Sequence, residues 1–517
     1  MLWIGLHLPW LSLETFRATL VATDGPPRPI ALVADGRIVQ ADEPARALGI
    51  RPGFKRATAL ALSAELLLGQ ADAHRDAIAL QSVAQAALAF TPAVTLGDHG
   101  TTVQLEVQST LRYFGGLQKL LDRLRQAMAP LGHRLQLATA PTARGAALLA
   151  RWRPGFEIGP HSSELAQLCR LLDDAPVWLL GPGREHWDAL QGMGLHTLAD
   201  LRALPRSGVA RRFSPELLDE LDQARGRAPE PQRWIVAPPR FHARIELFTR
   251  ADRSEQVIAG ARVLLARLVA WAQAQHGRIG RFTLVMHHER RHRADDRTPP
   301  MTMLHIEPAA ASADVAHLQM LLAERIGRLP LAAPALELSV HCDALVPGAA
   351  PNAELFPTRA SERAGLTRLI ERLQARLGRE AVQSLALARD HRPERGTVTR
   401  PVDAARAGAA PPSEPAIEQR MVQSAANAAA DVLDRPAWLL PEPMPLAQRD
   451  GRPLLDGRPL LLLAGPERIE TGWWDEGLVL RDYYVAGCAD GTLVWLFRPR
   501  VAPVEDDAVW FLQGRFG

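Results

Sequence analysis

The pattern of apolar and polar positions predicts alternating strands and helices in residues 1–165. Short runs of apolar and β-branched residues, which favour strands, occupy Leu2–Leu6, Ile30–Val33, Val103–Val107 and Arg134–Ala138. Apolar residues at helical spacing occupy Arg75–Ala89 and Gly116–Ala129. The two periodicities in one stretch predict a mixed α+β region.

Residues 166–230 are predicted to be helical, with a tight turn at Gly192-Met193-Gly194 between two apolar helices. Glycines at such a turn let backbone amides approach a phosphate beside a helix N-terminus. Gly192 and Gly194 are therefore candidate contacts to a DNA backbone, which would hold DNA without reading its sequence. An ordinary turn between two helices explains the same two glycines equally well.

A proline-rich hinge at 228–239 precedes a second mixed region, 240–350. Its predicted strands and helices are Phe241–Leu247, Ser254–Gln275, Arg281–His287, Met301–Ile306, Ala313–Arg328 and Leu336–Ala344. Between Arg240 and Arg297 there are 12 arginines against 6 acidic residues, an excess that suits a phosphate backbone. Arg281, Arg290 and Arg291 are the candidate DNA contacts, and a merely solvated charged surface is the alternative.

The segment Pro351-Asn352-Ala353-Glu354-Leu355-Phe356-Pro357 resembles the Gln-x-x-Leu-Phe peptide by which bacterial proteins dock on the DNA sliding clamp. Leu355 and Phe356 would fill a preformed cleft, while Asn352 stands where Gln is usual. The alternative is a Leu-Phe pair buried under the next helix. Within 351–394, residues 361–390 carry leucines at helical spacing and are predicted to contain an amphipathic helix. Residues 395–433, rich in Ala, Pro and charge, are predicted to be a flexible linker.

Aromatic residues are concentrated in the last region, 434–517, and predict a small β domain with a hairpin turn at Asp490-Gly491. Aromatic side chains either form the core of such a sheet or anchor a partner protein. We consider four of them as candidate partner contacts: Trp473, Trp474, Tyr483 and Tyr484.

Bulk properties limit the class of protein. A chain of 517 residues is long enough for several domains. The sequence contains no run of about 20 uncharged apolar residues, so we predict no membrane span. The N-terminus lacks the pattern of a secretion signal. The three cysteines are too scattered for a disulfide framework or a metal site, which favours a cytoplasmic protein without a metal or other cofactor. The isoelectric point of about 9.0 rests mainly on arginine, which binds phosphate bidentately.

The opening strand, Leu2-Trp3-Ile4-Gly5-Leu6-His7-Leu8-Pro9, resembles the first palm strand of Y-family DNA polymerases, which perform lesion bypass. In that family the strand ends in Asp-x-Asp, and those two positions hold His7 and Pro9 here. The family's second acidic pair corresponds to Thr101 and Thr102. Because two-metal phosphoryl transfer needs clustered carboxylate oxygens, we predict a polymerase body that lacks its chemistry.

The nucleotide-binding segments of the Y-family pattern are also altered. The run Ala45–Gly53 is similar to the fingers segment and keeps its arginine as Arg46, but the tyrosine that packs on triphosphate corresponds to Glu43. A lysine that meets triphosphate corresponds to Ala147. An active polymerase that uses displaced carboxylates, Asp98, Glu106 or Glu14, is the alternative, and a DNA-binding protein with a helix-hairpin-helix that is not polymerase-like is a third possibility.

The domain order and the runs Gly465–Trp474 and Arg481–Tyr484 identify the chain as resembling the ImuB family, catalytically inactive Y-family-like proteins of the bacterial SOS mutasome. The resemblance implies palm and fingers at 1–165, a helix-hairpin-helix thumb at 166–230 and a little finger at 240–350. It also implies a scaffold for damage-induced translesion synthesis. Such a scaffold would bind DNA, the sliding clamp, an error-prone C-family polymerase and a RecA-like protein of the ImuA type.

Overall fold

The computed structural model describes residues 1–20, 28–152, 164–289, 299–348, 359–388, 390–404, 435–436, 438–501 and 509–516. The chain divides into two units, Met1–Thr358 and Arg359–Gly517, each with sheets and cores of its own. The first unit mixes helices and strands, and the second, in its described residues, has one α-helix followed by strands, which confirms the predicted α+β multidomain class.

The described residues of 1–152 contain seven strands, seven α-helices and a short 3-10 helix, Ala129–Leu131. In chain order the strands and α-helices are β1 Trp3–His7, α1 Leu11–Arg17, β2 Ile30–Ala34, β3 Arg37–Ala41, α2 Glu43–Ala47, α3 Arg56–Leu62, β4 Leu67–Gln70, α4 Ala73–Ala87, β5 Val94–Leu96, β6 Thr102–Glu106, α5 Leu111–Phe114, α6 Leu117–Met128, β7 Gln136–Ala140 and α7 Ala143–Trp152. The predicted strands and helices of this region are all present, with ends displaced by at most two residues.

A four-stranded antiparallel sheet with the order β5-β6-β1-β7 is the platform of this region. Its central strand β1 is buried because its residues are almost all apolar. Helix α7 crosses β1 so closely that a Cβ atom at Gly5 would lie 2.6 Å from the carbonyl oxygen of Ala146. Glycine at position 5 is therefore what allows α7 to approach the middle of the central strand. A separate three-stranded sheet, β3-β2-β4, flanks the fingers-like segment, because β2 and β3 precede that segment in the sequence and β4 follows it.

Residues 164–228 fold into six short helices around a leucine-rich core. They are α8 Leu165–Asp173, α9 Gly181–Glu185, α10 Trp187–Gly192, α11 Leu198–Ala203, α12 Arg206–Arg212 and α13 Pro215–Ala224. Helix α11 begins with a capping box in which Thr197 and Asp200 satisfy each other's backbone amides.

The second mixed region contains β8 His242–Ala251, α14 Ser254–Ala274, β9 Gly277–His288, β10 Met301–Ile306, α15 Val315–Gly327 and β11 Ala335–Pro347. The strands form an antiparallel sheet with the order β10-β9-β11-β8, and α14 packs on one of its faces. Among the described residues α14 alone is long and apolar enough to cross a membrane, but 67% of its most apolar stretch is buried inside the protein. Burial of this kind is typical of a core helix.

The second unit begins with α16 Arg359–Leu377, followed by the hairpin of β12 Gln383–Leu387 and β13 Thr397–Pro401. The helix ends 13 residues earlier than the amphipathic segment 361–390 suggested, and Leu366, Leu369, Leu373 and Leu377 are exposed. The prediction that a flexible linker begins at 395 is wrong, because Thr397-Val398-Thr399 is β-branched and pairs with β12.

The remainder of the second unit is a seven-stranded sheet with the order β16-β15-β14-β20-β19-β18-β17. Its strands are β14 Trp438–Arg449, β15 Arg452–Leu455, β16 Arg458–Pro459, β17 Leu461–Thr471, β18 Val479–Gly487, β19 Leu493–Pro499 and β20 Trp510–Arg515. The predicted hairpin turn joins β18 to β19, and Gly491 adopts a positive φ of 88° there. Apolar clusters that contain Trp495 and Trp510 form its cores.

Candidate functional site

The positions predicted to have lost carboxylates meet at one end of the palm-like sheet. His7, the last residue of β1, lies opposite Thr102, the first residue of β6. The amide of Leu8 donates to the carbonyl oxygen of Thr101 at 2.9 Å, so the pairing continues beyond the strand ends. The structure thus brings His7, Thr101 and Thr102 together. Thr102 is buried and its hydroxyl oxygen has no hydrogen-bond partner.

The imidazole of His7 is neutral at pH 7. Its Nδ1 lies 3.2 Å from the carbonyl oxygen of Thr101, and because a carbonyl only accepts, Nδ1 carries the proton. Burial lowers the pKa of His7 to about 4, and the positive charges of Arg151 and Arg184 lower it further, against the opposing effect of the Thr101 hydrogen bond. A neutral imidazole donor occupies the position at which a metal-dependent polymerase needs an anion.

Two arginines give this end of the sheet a positive charge. Arg151, on the last turn of α7, donates from Nη1 to the carbonyl oxygen of Leu179 at 2.7 Å. Burial and the charge of Arg184 lower its pKa to about 10, so it stays protonated at neutral pH. The guanidinium of Arg184 lies 5.7 Å from the ring centre of Trp178. Two fixed cations beside His7 oppose the binding of a divalent cation.

A cavity of about 350 Å³ opens beside this group and extends between β5, β6, α7 and α13. Arg144 crosses it, with Nη2 2.5 Å from Asp98 and Nη1 3.1 Å from Glu220. Glu220 also accepts from the amide of Gly181 at 2.9 Å. Arg144, Asp98 and Glu220 therefore neutralise one another within the cavity, and Ala147 contributes only a methyl group where the Y-family pattern has a lysine.

The N-terminus of α7 already holds a carboxylate of the chain itself. Glu230 accepts from the backbone amides of Ala143 and Arg144, both at 3.1 Å. Burial raises the pKa of Glu230, and these amides and the Arg144 charge oppose that rise. Because a helix N-terminus attracts anions, Glu230 occupies the place that a phosphate would otherwise find here.

The three displaced carboxylates of the alternative hypothesis do not converge on His7. Asp98 pairs with Arg144, and Glu14 pairs with His133 at 3.2 Å. Glu106 lies opposite Trp3, four residues from His7 along β1, which is about 13 Å at the usual rise of a strand. In the part of the chain that the structure describes, no group of three or more His, Cys, Asp or Glu side chains could hold a metal ion.

The fingers-like segment retains its arginine in a different setting. The guanidinium of Arg46 lies 4.6 Å from the ring centre of Trp10, a cation–π contact, and its Nε is buried without a hydrogen-bond partner. Glu43 is exposed in the first turn of α2. A carboxylate in this position would repel a triphosphate.

The Gly192–Gly194 turn is a Schellman motif. Gly194 has a φ of 77°, its amide donates to Gln191, and the amide of Leu195 donates to Leu190. The next two amides donate to Asp200. Helix termination accounts for Gly194 without a ligand, whereas Gly192 has no positive φ and open space for a Cβ atom. Contact of either glycine with DNA stays a prediction.

The open face of the β8–β11 sheet carries mixed polar groups. Arg281 is exposed on β9, whereas Arg290 and Arg291 lie outside the described residues. Thr283 lies on the same strand and bonds to Asp343 at 2.6 Å and to His305 at 2.7 Å. The predicted clamp-binding residues Asn352, Leu355 and Phe356 also lie outside the described part of the chain.

The four aromatic residues proposed as partner contacts separate into two groups. Trp473 and Trp474 follow β17 and are 79% and 54% exposed. Tyr483 is 0% exposed and stacks on Trp495 with ring centres 4.1 Å apart, so the prediction of a surface role is wrong for this residue. Tyr484 is half-buried and its ring contacts Trp510 edge-on. Only the tryptophan pair is free to anchor a partner.

Sequence reasoning missed Arg151, Arg184 and Glu230. The position of Arg151, four residues after Ala147 and hence on the same face of α7, was the only signal available in the sequence. Arg184 and Glu230 reach this area from distant segments, and only the tertiary structure reveals them.

Comparison with known proteins finds similarity over most of the chain. No family model matches the chain. Protein ImuB of Caulobacter vibrioides, in strains NA1000 / CB15N and ATCC 19089 / CIP 103742 / CB 15, is 29% identical over 483 residues, which cover 91% of this chain and 100% of that protein. Among solved structures, an insertion ternary complex of Dbh DNA polymerase is 14% identical with a TM-score of 0.37, and DinB from Sulfolobus solfataricus is 12% identical with a TM-score of 0.35. Each covers 67% of this chain and 100% of the matched chain.

Proposed function

We propose that this chain, which is similar to Protein ImuB of Caulobacter vibrioides over 91% of its length, is a non-catalytic, DNA-binding scaffold of damage-induced translesion synthesis. The observation that carries the proposal is the pairing of His7 with Thr102 beside Arg151. A neutral imidazole, a hydroxyl and a fixed cation replace the carboxylate cluster that two-metal phosphoryl transfer requires. Synthesis past a lesion would then be performed by a separate polymerase.

The scaffold would connect DNA, the sliding clamp, an error-prone C-family polymerase and a RecA-like protein of the ImuA type. DNA would contact arginines such as Arg281 through its phosphates, independently of sequence. The clamp would receive Leu355 and Phe356, with Asn352 in the place of the usual Gln. Trp473 and Trp474 are the exposed anchors for a protein partner. A cytoplasmic location follows from these partners.

Primer extension with the purified full chain tests the absence of catalysis. With Mg²⁺ or Mn²⁺, primer-template and four nucleotides, we expect no extended product. Extension that disappears in Asp98→Ala or Glu106→Ala would overturn the proposal in favour of displaced carboxylates.

Clamp capture tests the scaffold half of the proposal. The double variant Leu355→Ala/Phe356→Ala should lose clamp binding, because two apolar anchors dominate the affinity of a short peptide. Leu366→Ala/Leu369→Ala, an exposed apolar pair on the following helix, is the matched control and should keep it. Equal capture of both variants would remove 352–356 as the clamp site.

A further inference from the structure

A groove of about 690 Å³ lies on unit Met1–Thr358 between α1, the end of α6 and the helices α14 and α15. Its lining includes Arg17, Arg134, Arg262 and Arg267 but a single carboxylate, Glu14. That carboxylate is already engaged, since it pairs with His133 and accepts from the amide of Arg134 at 3.2 Å. The groove therefore presents an excess of positive charge.

Arg267 is the unusual member of this group. It is 8% exposed, and no hydrogen bond or ion pair of its side chain occurs among the described residues. The two other buried arginines in the described chain both have carboxylate partners: Arg225 binds Asp173, and Arg392 binds Asp390 and Asp475. Burial lowers the pKa of Arg267 with no neighbouring charge to oppose it, yet a guanidinium stays protonated at neutral pH.

A buried charge without a counter-charge lowers the stability of the folded protein. A ligand that supplies the counter-charge would account for the presence of such a residue. Arg134 and Arg262 are exposed at the rim, also without a side-chain partner in the described chain, whereas Arg17 pairs with Asp42 at 3.0 Å. One buried and two accessible guanidinium groups suit a ligand with more than one anionic group. Guanidinium binds phosphate oxygens bidentately.

We propose that this groove binds a compact polyphosphate ligand of nucleotide size, with one phosphate on Arg267 and further phosphates on Arg134 and Arg262. The volume is within the range of small-molecule sites, about 300–1,000 Å³. A small ligand is favoured over a duplex backbone because Arg267 lies at the buried base of the groove. This site is separate from the His7 region and does not depend on the proposed scaffold function.

Displacement of fluorescent trinitrophenyl-ATP from the purified full chain tests the proposal. Inorganic pyrophosphate and ATP should displace the probe, and adenosine, which has no phosphate, should not. Arg267→Met should weaken binding at least about tenfold, as expected for the loss of a charge-assisted contact. Arg267→Lys should retain part of it, and Arg325→Met, an exposed arginine of α15 outside the groove, should bind like the natural protein.

Thermal melting without ligand distinguishes a binding role from a structural one. Arg267→Met should raise the melting temperature, because it removes an unpaired buried charge. A lower melting temperature together with unchanged probe binding would overturn the proposal and assign Arg267 to the packing of α14. If Arg267→Met fails to fold, the exposed double variant Arg134→Met/Arg262→Met must still weaken probe binding for the proposal to stand. Displacement by duplex DNA but not by pyrophosphate would overturn the assignment to a small ligand.

Discussion

The protonation state of His7 offers a direct test of the palm-like site. Burial and two arginines lower its pKa from 6.5 to about 4, which corresponds to about 3 kcal/mol of preference for the neutral form. Histidine-labelled protein observed by NMR should therefore show one imidazole that stays neutral down to about pH 5. Its signal is assigned by its absence in His7→Asn.

The same shift predicts the direction of an acid effect on stability. The unfolded chain binds a proton at His7 near pH 6.5, whereas the folded chain binds it near pH 4, so stability rises with pH between these values. The contribution of neutral His7 to the free energy of unfolding is fully present above pH 6.5. As the pH falls toward 4, up to about 3 kcal/mol of it is lost. His7→Asn should lose less stability than the natural protein over this window, measured on the unfolding transition of the first unit.

Arginine substitutions separate the charge effect from burial. Arg151→Met should raise the pKa of His7, because the Arg151 charge is the second largest cause of its depression. Arg144→Met, on the same helix but not among the charges that act on His7, is the matched control. A His7 that titrates between pH 6 and 7, or that is insensitive to Arg151→Met, would refute the reasoning. So would a Mg²⁺-dependent change in its signal at submillimolar concentration.

Further predictions concern chemistry, DNA and the aromatic unit. The triple variant His7→Asp/Thr101→Asp/Thr102→Glu should still show no primer extension. The charge of Arg151 and the altered nucleotide-binding positions Glu43 and Ala147 remain in this variant. An extended product would show that restoring the carboxylates is enough for activity. The affinity for DNA, measured by fluorescence anisotropy, should fall steeply with salt and should not depend on sequence. Because position 192 has free space for a Cβ atom, Gly192→Ala should weaken DNA binding only if the turn contacts phosphate. Tyr483→Ala should destabilise the second unit by about 3–5 kcal/mol in thermal unfolding, whereas Trp473→Ala should leave stability nearly unchanged and reduce partner capture.

Local pattern was enough to predict the six elements described in residues 240–350, but only six of the fourteen strands and α-helices described in the first 152 residues. Strand β10, Met301–Ile306, matches its predicted bounds, and α14 differs by one residue, because both have uninterrupted periodicity bounded by polar residues. The start of the linker was placed wrongly because low overall apolarity outweighed the short β-branched run Thr397–Thr399. A two-stranded hairpin depends on its partner strand, which a scan of one segment does not include.

The sites were less predictable because their decisive contacts join distant segments. The side chains of Tyr483 and Tyr484 point to opposite faces of β18, and nothing local shows that both faces carry apolar clusters. In the same way, the positive charge at His7 depends on Arg184, which lies 177 residues later in the chain. Sequence could identify the missing carboxylates but not the cations beside them.

The proposed loss of catalysis is compatible with retention of the fold, because the two depend on different groups. The approach of α7 to β1 rests on Gly5 and on buried apolar side chains, none of which takes part in metal binding. Clustered carboxylates without a metal would repel one another at the end of β1. His7 and Thr102 remove that repulsion, Glu220 balances part of the charge of Arg151, and the backbone pairing of His7 with Thr102 is kept. The arrangement favours a permanently assembled palm-like body over one that needs a divalent cation to hold its strand ends together.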